Sequence, residues 1–189
     1  MPKFFRFATL TAAAALAAGV AFAGSHAMSN PMVGGAEMFA DKNIVENAMN
    51  SADHTTLVAA VTAAGLVETL QGAGPFTVFA PTNEAFAKLP AGTVDSLLLP
   101  ENKDQLVKIL TCHVVAANAT AEAITGMVEA DGGAHVVKTV GGCEFTVKAA
   151  DGKVTIEDGQ GNVANVTIAD VMQSNGVIHV IDTVLLPAS

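Results

Sequence analysis

Histidine and cysteine are the residues of this chain whose side chains most readily do chemistry, and it holds five of the first and two of the second. Zinc sites need three or four converging ligands, and their usual signatures place two of them a few residues apart. No two histidines are spaced in that way, so the sequence predicts no metal site and no other cofactor. The histidines are His26, His54, His113, His135 and His179.

Nucleophilic catalysis has no recognisable motif in this chain. No serine lies in the Gly-x-Ser-x-Gly turn that exposes a nucleophile in hydrolases. The glycine-rich loops that hold the phosphates of nucleotides are also missing. A pair of carboxylates that meets only in space leaves no sequence pattern, so that alternative stays open. We therefore expect a protein that is not an enzyme.

The two cysteines, Cys112 and Cys143, are separated by about thirty residues, far from the Cys-x-x-Cys spacing of redox pairs. An isolated pair of cysteines in an exported protein most often forms one disulfide. We predict a structural disulfide between them. Two buried free thiols and a redox pair are the alternatives.

Export is indicated by residues 1–23, which have the features of a signal peptide. Lys3 and Arg6 precede a short apolar run, and Ala21-Phe22-Ala23 fits a small-x-small cleavage site. We therefore expect a secreted protein, periplasmic or at the cell surface, with no membrane insertion after cleavage. The remaining chain carries seven basic and eighteen acidic residues, which argues against nucleic acid as a partner.

The order of predicted elements favours an α+β fold in one domain. Residues 24–40 are assigned to an N-terminal arm and residues 41–189 to the domain. Helical spacing of apolar residues recurs between positions 41 and 110, whereas alternating apolar and polar residues after Gly133 predict an antiparallel meander. Helices first and strands later are typical of α+β proteins.

Two segments are apolar on both alternating sides and therefore predict strands covered on both faces. The first is Phe76 to Ala80, which is followed by proline. The second runs from Asn175 to Pro187, where Asn175-Gly176 supplies a turn and Pro187 is expected to stop the strand. His179 lies inside this second segment. We expect a buried histidine whose ring nitrogens are hydrogen-bonded, with Asp182 or a backbone carbonyl as a partner.

Both segments resemble conserved blocks of the fasciclin (FAS1) domain. Residues 74–86, Gly-Pro-Phe-Thr-Val-Phe-Ala-Pro-Thr-Asn-Glu-Ala-Phe, are similar to the first block, and residues 175–187 are similar to the second. Residues 110–115 resemble the Tyr-His motif between them, with Cys112 in place of the tyrosine. The block residues expected to have structural roles are Thr77, Phe79, Pro81, Thr82, Asn83, Phe86, Asn175, Gly176, His179 and Asp182.

The resemblance implies a wedge of two β-sheets with helices packed around it, and a role as an adhesion or interaction module. In the family, the Tyr-His pair and an Asp-Ile-type element before the second block are tied to adhesion. Here the corresponding residues are His113, Asp170 and Val171, which form a candidate adhesion patch. For His113 the alternative interpretation is a purely structural role in packing. The expected partner is a cell-surface or matrix protein or polysaccharide.

The high content of alanine, valine and leucine suggests a different function as well. A single domain of this size can hold a small apolar or lipid-like ligand between its helices and its sheet. The alternative hypothesis is therefore an envelope carrier for such a ligand. The sequence does not distinguish a ligand cavity lined by these apolar residues from a core that the same residues simply fill.

Overall fold

The protein was analysed as a computed structural model that describes residues 30–188. The predicted signal peptide, residues 1–23, the first part of the predicted arm, residues 24–29, and Ser189 lie outside the described residues.

Most of the helices precede most of the strands, so the α+β prediction is confirmed. The helices are α1 (Ile44–Asn50), α2 (Thr55–Ala64), α3 (Val67–Gln71), α4 (Asn83–Ala87), α5 (Thr93–Leu97), α6 (Lys103–Cys112) and α7 (Ala121–Ala130). Short 3₁₀ turns cover Ala52–His54 and Pro100–Asn102. The strands are β1 (Met32–Val33), β2 (Ala36–Glu37), β3 (Phe76–Pro81), β4 (Val114–Val115), β5 (His135–Lys138), β6 (Glu144–Ala150), β7 (Lys153–Glu157), β8 (Val163–Gln173) and β9 (Gly176–Ile181).

Side-chain caps explain where several helices begin. Asn43 accepts a hydrogen bond from the backbone N–H of Glu46, and the Glu46 carboxylate accepts one from the N–H of Asn43, which completes a capping box before α1. Thr82 and Thr120 cap α4 and α7 in the simpler way, through one hydroxyl each. At the other end of α2, Gly65 adopts a left-handed conformation that stops the helix, as its position in the sequence predicts.

Seven strands form the main sheet in the order β4-β3-β9-β8-β7-β6-β5, and only β3 and β9 are parallel neighbours. Strand β8 joins the two halves of this sheet, β4-β3-β9 on one side and β7-β6-β5 on the other. Its first residues, 163–165, pair with β7, whereas residues 166–173 pair with β9. Register shifts between Val166 and Val171 interrupt the second pairing, and such bulges bend a strand. The two halves therefore form the two sides of the predicted β-wedge.

Two hydrophobic cores result from this arrangement. The helical core lies between the helices α1 to α6 and the β3–β9 half of the sheet. The wedge core lies between the two halves and is closed by α7, with Phe79, Phe145 and Ile156 among its fully buried side chains. Strand β9 is buried along its whole length because it contributes to both cores, as the two-sided apolar pattern predicts.

Two parts of the chain differ from the sequence-based expectation. The sequence from Thr111 to Val115 has a short, β-like pattern, but Thr111 and Cys112 continue helix α6 and only Val114–Val115 pair with β3. The last strand ends at Ile181 instead of continuing to Pro187. It ends there because the Asp182 carboxylate bonds to Asn165, while the following residues turn inward and bury Val184 and Leu185.

The described part of the predicted arm, residues 30–40, is packed against the domain. Strands β1 and β2 form a small hairpin, and Val33 of β1 and Met38, which follows β2, are buried in the helical core. Asn47 of α1 holds this segment in place: its amide accepts from the N–H of Phe39 at 3.0 Å and donates to the Phe39 carbonyl at 2.7 Å. The packed unit therefore begins before position 41.

Candidate functional site

The three residues of the predicted adhesion patch differ sharply in exposure. Asp170 is exposed, whereas Val171 is fully buried and His113 is 2% exposed. Asp170 lies on β8 with a positive φ of 55°. The pairing of β8 with β9 shifts register between Ile168 and Val171, around this residue. His113 follows α6 on the other side of β3. Only Asp170 among the three is therefore placed to touch a partner directly.

Asp170 is held by hydrogen bonds at both its side chain and its backbone. Its Oδ1 accepts from the N–H of Ala121 at 2.7 Å, at the first turn of α7. Its own N–H donates to Nδ1 of His179 at 3.3 Å. We call the exposed surface around this residue the Asp170 corner, which also includes Asn118 and Met172. Met172 is exposed two residues further along β8 and, with Asn118, lines a shallow depression of mixed polar and apolar character.

His179 supports the Asp170 corner from below. The ring is 1% exposed, and because Nδ1 accepts from Asp170, Nε2 carries the proton that is donated to the carbonyl of Ala119 at 2.7 Å. Burial lowers the pKa of His179, and the Ala119 carbonyl and the Asp170 carboxylate only partly oppose this. The ring also stacks on Phe79. The prediction of a buried, hydrogen-bonded histidine is confirmed, with a backbone carbonyl instead of Asp182 as its acceptor.

His113 connects the end of α6 to the C-terminal segment. Its Nδ1 donates to the carbonyl of Ile109 at 2.8 Å, and its Nε2 accepts from the N–H of Leu185 at 2.9 Å. The bond from Leu185 requires a neutral ring, because a protonated Nε2 has no lone pair to accept it. Burial lowers the pKa of His113 to about 4, although the Ile109 carbonyl and Asp158 favour the proton. This geometry fits a structural role, the alternative considered for His113 from the sequence.

The residues of the two conserved blocks mainly join strands to loops. Thr77 is buried and bonds to the backbone of both Ala117 and Ala119. Asn175 accepts from the N–H of Ile44 and donates to the carbonyls of Leu70, in the last turn of α3, and Gly72, just after it. Gly176 leaves no room for a side chain, since a Cβ there would lie 1.9 Å from the carbonyl oxygen of Phe76.

The remaining block residues connect the helices to the ends of β3 and β9. Asn83 follows the Thr82 cap and accepts from the N–H of Thr56, so it ties α4 to α2. Pro81 ends β3, and Phe86 is buried in the helical core. The Asp182 carboxylate accepts hydrogen bonds from both the backbone N–H and the side-chain amide of Asn165.

Cys112 and Cys143 form a disulfide, which confirms the predicted pairing. Both residues are buried in the wedge core, and the bond ties the end of α6 to the turn between β5 and β6. Around this turn, the N–H of Val140 donates to the carbonyl of Val114 and that of Gly141 to the carbonyl of Thr111. The disulfide therefore fixes the segment that carries His113 against the meander.

An apolar cleft opens between the helices and the sheet, on the helical-core side of β3. Its volume is about 250 Å³, close to the lower end of ligand pockets, about 300–1,000 Å³. Met49, which is 65% exposed, lies at its rim. The lining residues are Ile44, Val45, Ala48, Met49, Leu57, Val58, Val61, Thr62, Leu66, Val67, Leu70, Val78, Leu110, His113 and Val114.

A second, small cavity of about 20 Å³ lies further in, beside the N-terminal hairpin. His54 lines it and is 3% exposed. Its Nδ1 is 2.9 Å from the Ser51 hydroxyl, but its Nε2 is buried without a hydrogen-bond partner among the described residues. Burial lowers the pKa of His54. The nearby Ala80 carbonyl, whose placement relative to the ring does not meet hydrogen-bond geometry, and the charge of Asp53 oppose this only in part. Ile44, Ala48, Leu57 and Val78 line both cavities.

Sequence reasoning allowed for an apolar cavity between helices and sheet without naming its lining. It missed the unpaired nitrogen of His54 and the polar network around Asn47, which also bonds to Gln173. None of these has a local pattern, because each joins residues distant in sequence. Nδ1 of His135 lies 2.6 Å from Oδ2 of Asp131, within hydrogen-bond distance. Within residues 30–188, no group of three or more His, Cys, Asp or Glu side chains is placed to hold a metal ion. No helix in the same range has the length and apolar character to cross a membrane.

Comparisons with known proteins agree with this architecture. A family model described as Fasciclin domain matches residues 52–187. Protein sll1483 of Synechocystis sp. is 56% identical over 144 residues, which are 76% of this chain and 73% of that protein. The cell surface glycolipoprotein MPB83 of Mycobacterium bovis is 39% identical over 122 residues, 65% of this chain and 48% of that protein. This chain therefore spans about half of the mycobacterial relative.

A solved structure shows the same fold. It is a FAS1 domain pair from the insect cell adhesion molecule fasciclin I, matched with a TM-score of 0.68 at 20% sequence identity. The match covers 77% of this chain and 51% of that one.

Proposed function

The chain belongs to the fasciclin domain family, and we propose that it is an exported module of this family that binds a cell-surface or matrix partner through the Asp170 corner. Binding, not catalysis, is the proposed activity. The supporting observation is that the exposed carboxylate of Asp170 accepts a hydrogen bond from the N–H of Ala121, while the backbone N–H of Asp170 is fixed by His179. A preorganised side chain loses little entropy when a partner binds it.

The chemistry of the corner suggests what it contacts. One oxygen of Asp170 bonds to Ala121, so the carboxylate keeps acceptor capacity for a partner's N–H or O–H groups. Met172 adds exposed apolar surface beside it, and Asn118 adds an amide. A protein or polysaccharide surface with donors facing the acidic group fits this corner. The mycobacterial relative described as a cell surface glycolipoprotein supports an envelope location for this chain as well.

Binding of the exported protein to whole cells and to fractionated envelope protein and polysaccharide tests this function. Asp170→Asn keeps the acceptor for Ala121 but removes the charge. Because a hydrogen bond to a charged group is worth about 1.5–3 kcal/mol, we expect affinity to fall by about tenfold or more. Asp151→Asn is the matched control, since Asp151 is also an exposed aspartate with positive φ, in the β6–β7 turn.

Saturable binding that Asp170→Asn weakens and Asp151→Asn does not would support adhesion through this corner. Parental affinity in both variants, or no saturable binding to any fraction, would contradict it. Equal melting temperatures of the two variants are required for the comparison.

We also propose, as a second candidate, that the protein carries a small apolar or lipid-like ligand in its cleft. The observation that favours this function is a cleft of about 250 Å³ whose lining contains no acidic residue, lysine or arginine. Apolar walls with few polar groups are typical of ligand pockets. The cleft lies on the helical side of β3, away from the Asp170 corner, so the two functions are separable by mutation.

Native mass spectrometry of protein purified from its own host tests the carrier function. We expect an added mass that Ala48→Leu removes, because Ala48 lines the cleft and the larger side chain fills it. Ala123→Leu, the same change on an exposed position of α7, should keep the ligand. A clean apo mass, together with no uptake of the neutral fluorescent probe N-phenyl-1-naphthylamine, would exclude this function.

A further inference from the structure

We propose that the cleft takes a neutral amphiphile, an apolar chain that ends in one hydroxyl or carbonyl oxygen, and that Nε2 of His54 is the hydrogen-bonding partner of this oxygen. The inference rests on the carrier function proposed above. It adds the chemical class of the ligand, its direction in the cleft and the residue that selects it.

The unpaired nitrogen of His54 is unusual in itself, because burying an imidazole nitrogen without a hydrogen-bond partner is costly and native proteins rarely keep one without a reason. His54 lies at the inner end of the gap between α1, α2 and the sheet, and its ring is fixed by the bond to Ser51. Its Nε2 is the one buried side-chain nitrogen or oxygen without a partner among the described residues.

The small cavity at His54 adjoins the cleft, since Ile44, Ala48, Leu57 and Val78 line both and only these side chains separate them. The cleft is wide and apolar, whereas the small cavity, at about 20 Å³, has room for about one water-sized group. A ligand that enters past Met49 with its apolar chain in the cleft places its polar end at His54.

The charge of the lining also restricts the ligand. No acidic residue, lysine or arginine lines either cavity, so no lysine or arginine is present to pair with a ligand's carboxylate or phosphate group. Burying an unpaired ion is far more costly than burying a hydroxyl that gains one hydrogen bond. The other polar side chains of the lining are already used: Thr62 bonds to the Val58 carbonyl, and both nitrogens of His113 are paired. One free polar atom selects a ligand with one polar group.

Either tautomer of His54 serves this purpose. If the Ser51 hydroxyl donates to Nδ1, Nε2 carries the proton and donates to a carbonyl or hydroxyl oxygen. If Nδ1 donates to Ser51, Nε2 accepts from a hydroxyl. An alkanol therefore satisfies both forms, which makes it the more informative probe. A single water in the small cavity is the competitor that the ligand must displace.

The test uses the exported protein labelled with ¹⁵N-histidine and titrated with decan-1-ol, decane or decanoate. Displacement of N-phenyl-1-naphthylamine measures affinity, and the ¹⁵N shift of each imidazole nitrogen measures hydrogen bonding. We expect decan-1-ol to shift Nε2 of His54 and to bind about tenfold more tightly than decanoate. The paired nitrogens of His113 and His179 are internal controls that should keep their shifts.

Two variants separate the contributions. His54→Phe should remove the advantage of decan-1-ol over decane, whereas Ala48→Leu should weaken both ligands alike because Ala48 lines both cavities. The labelled parent protein decides the question by itself if His54→Phe does not fold.

The outcomes distinguish this inference from the function on which it rests. If all three ligands displace the probe but none shifts Nε2 of His54, the cleft binds ligands and the role of His54 is refuted. Tighter binding of decanoate than of decan-1-ol refutes the neutral ligand class. If neither the probe nor any ligand binds, the carrier function fails together with the inference.

Discussion

Acid should unfold this protein through its buried histidines, and His113 allows the effect to be calculated. In the folded protein His113 is neutral, since Nδ1 donates to Ile109 and Nε2 accepts from Leu185. Its pKa is lowered from 6.5 to about 4, chiefly by burial. The unfolded chain therefore takes up a proton between these two pH values that the folded chain does not. Stability from this group is complete above pH 6.5 and is lost as the pH falls toward 4.

The size of the effect follows from the pKa difference. One pKa unit corresponds to about 1.4 kcal/mol, so a shift of about 2.5 units makes His113 alone responsible for about 3 kcal/mol of stability lost between neutral pH and pH 4. His54 and His179 also have lowered pKa values because of burial, so they add loss in the same direction. The pKa of Asp182 lies below its usual 3.8 because hydrogen bonds from Asn165 and Thr183 and the charge of Lys88 outweigh burial. Its contribution disappears only at lower pH.

Urea denaturation at several pH values between 7.5 and 4.5 measures this loss. His113→Gln removes the titrating group, so we expect lower stability than the parent at neutral pH but a shallower fall with acid. His135→Gln is the control, because His135 is only partly buried and pairs with Asp131 at the surface. A parental unfolding free energy that stays constant from pH 7 to 4.5, or an unchanged slope in His113→Gln, would refute the reasoning.

Three further predictions concern stability. Cys143→Ser should cost about 3–4 kcal/mol in urea denaturation because it opens a loop of about thirty residues, and thiol labelling of both cysteines in the native, non-reduced protein would contradict the disulfide. His179→Ala should cost about 2–4 kcal/mol, since it removes a fully buried ring and leaves the Ala119 carbonyl unpaired; an unchanged melting temperature would disprove this. Asn47→Ala should raise amide hydrogen exchange at Phe39 and in the β1–β2 hairpin, with exchange in β6 as the unaffected reference.

The parts of the fold that the sequence predicts are those that depend on local periodicity. Apolar residues on both sides of β3 and β9 are consistent with central strands, and alternation in β6 and β7 gives the meander, because burial repeats with the geometry of each element. The end of α6 is the opposite case. Cys112 and His113 look like the start of a strand, yet helix α6 continues through Cys112. The disulfide to Cys143 and the bond from His113 to Ile109 are both formed there.

The candidate sites depend even more on contacts between distant residues. Resemblance to the family assigns Asp170 and Val171 to one patch, but they lie at a register shift of β8 that leaves Asp170 exposed and Val171 buried.

Burial explains why His113 and Asp170 contribute in different ways to any surface function. His113 has its nitrogens bonded to α6 and the C-terminal segment, so its loss should be seen first in folding. The carboxylate of Asp170 is exposed to solvent and its backbone N–H is bonded to His179, so we expect substitution of Asp170 to affect binding before folding. Under the proposed function, residues that a family associates with one activity thus divide into a buried supporting residue, His113, and an exposed residue, Asp170, that we propose contacts the partner. Two measurements separate these roles. Asp170→Asn should weaken attachment and leave the melting temperature unchanged. His113→Gln should lower the melting temperature and leave the attachment of the folded protein unchanged.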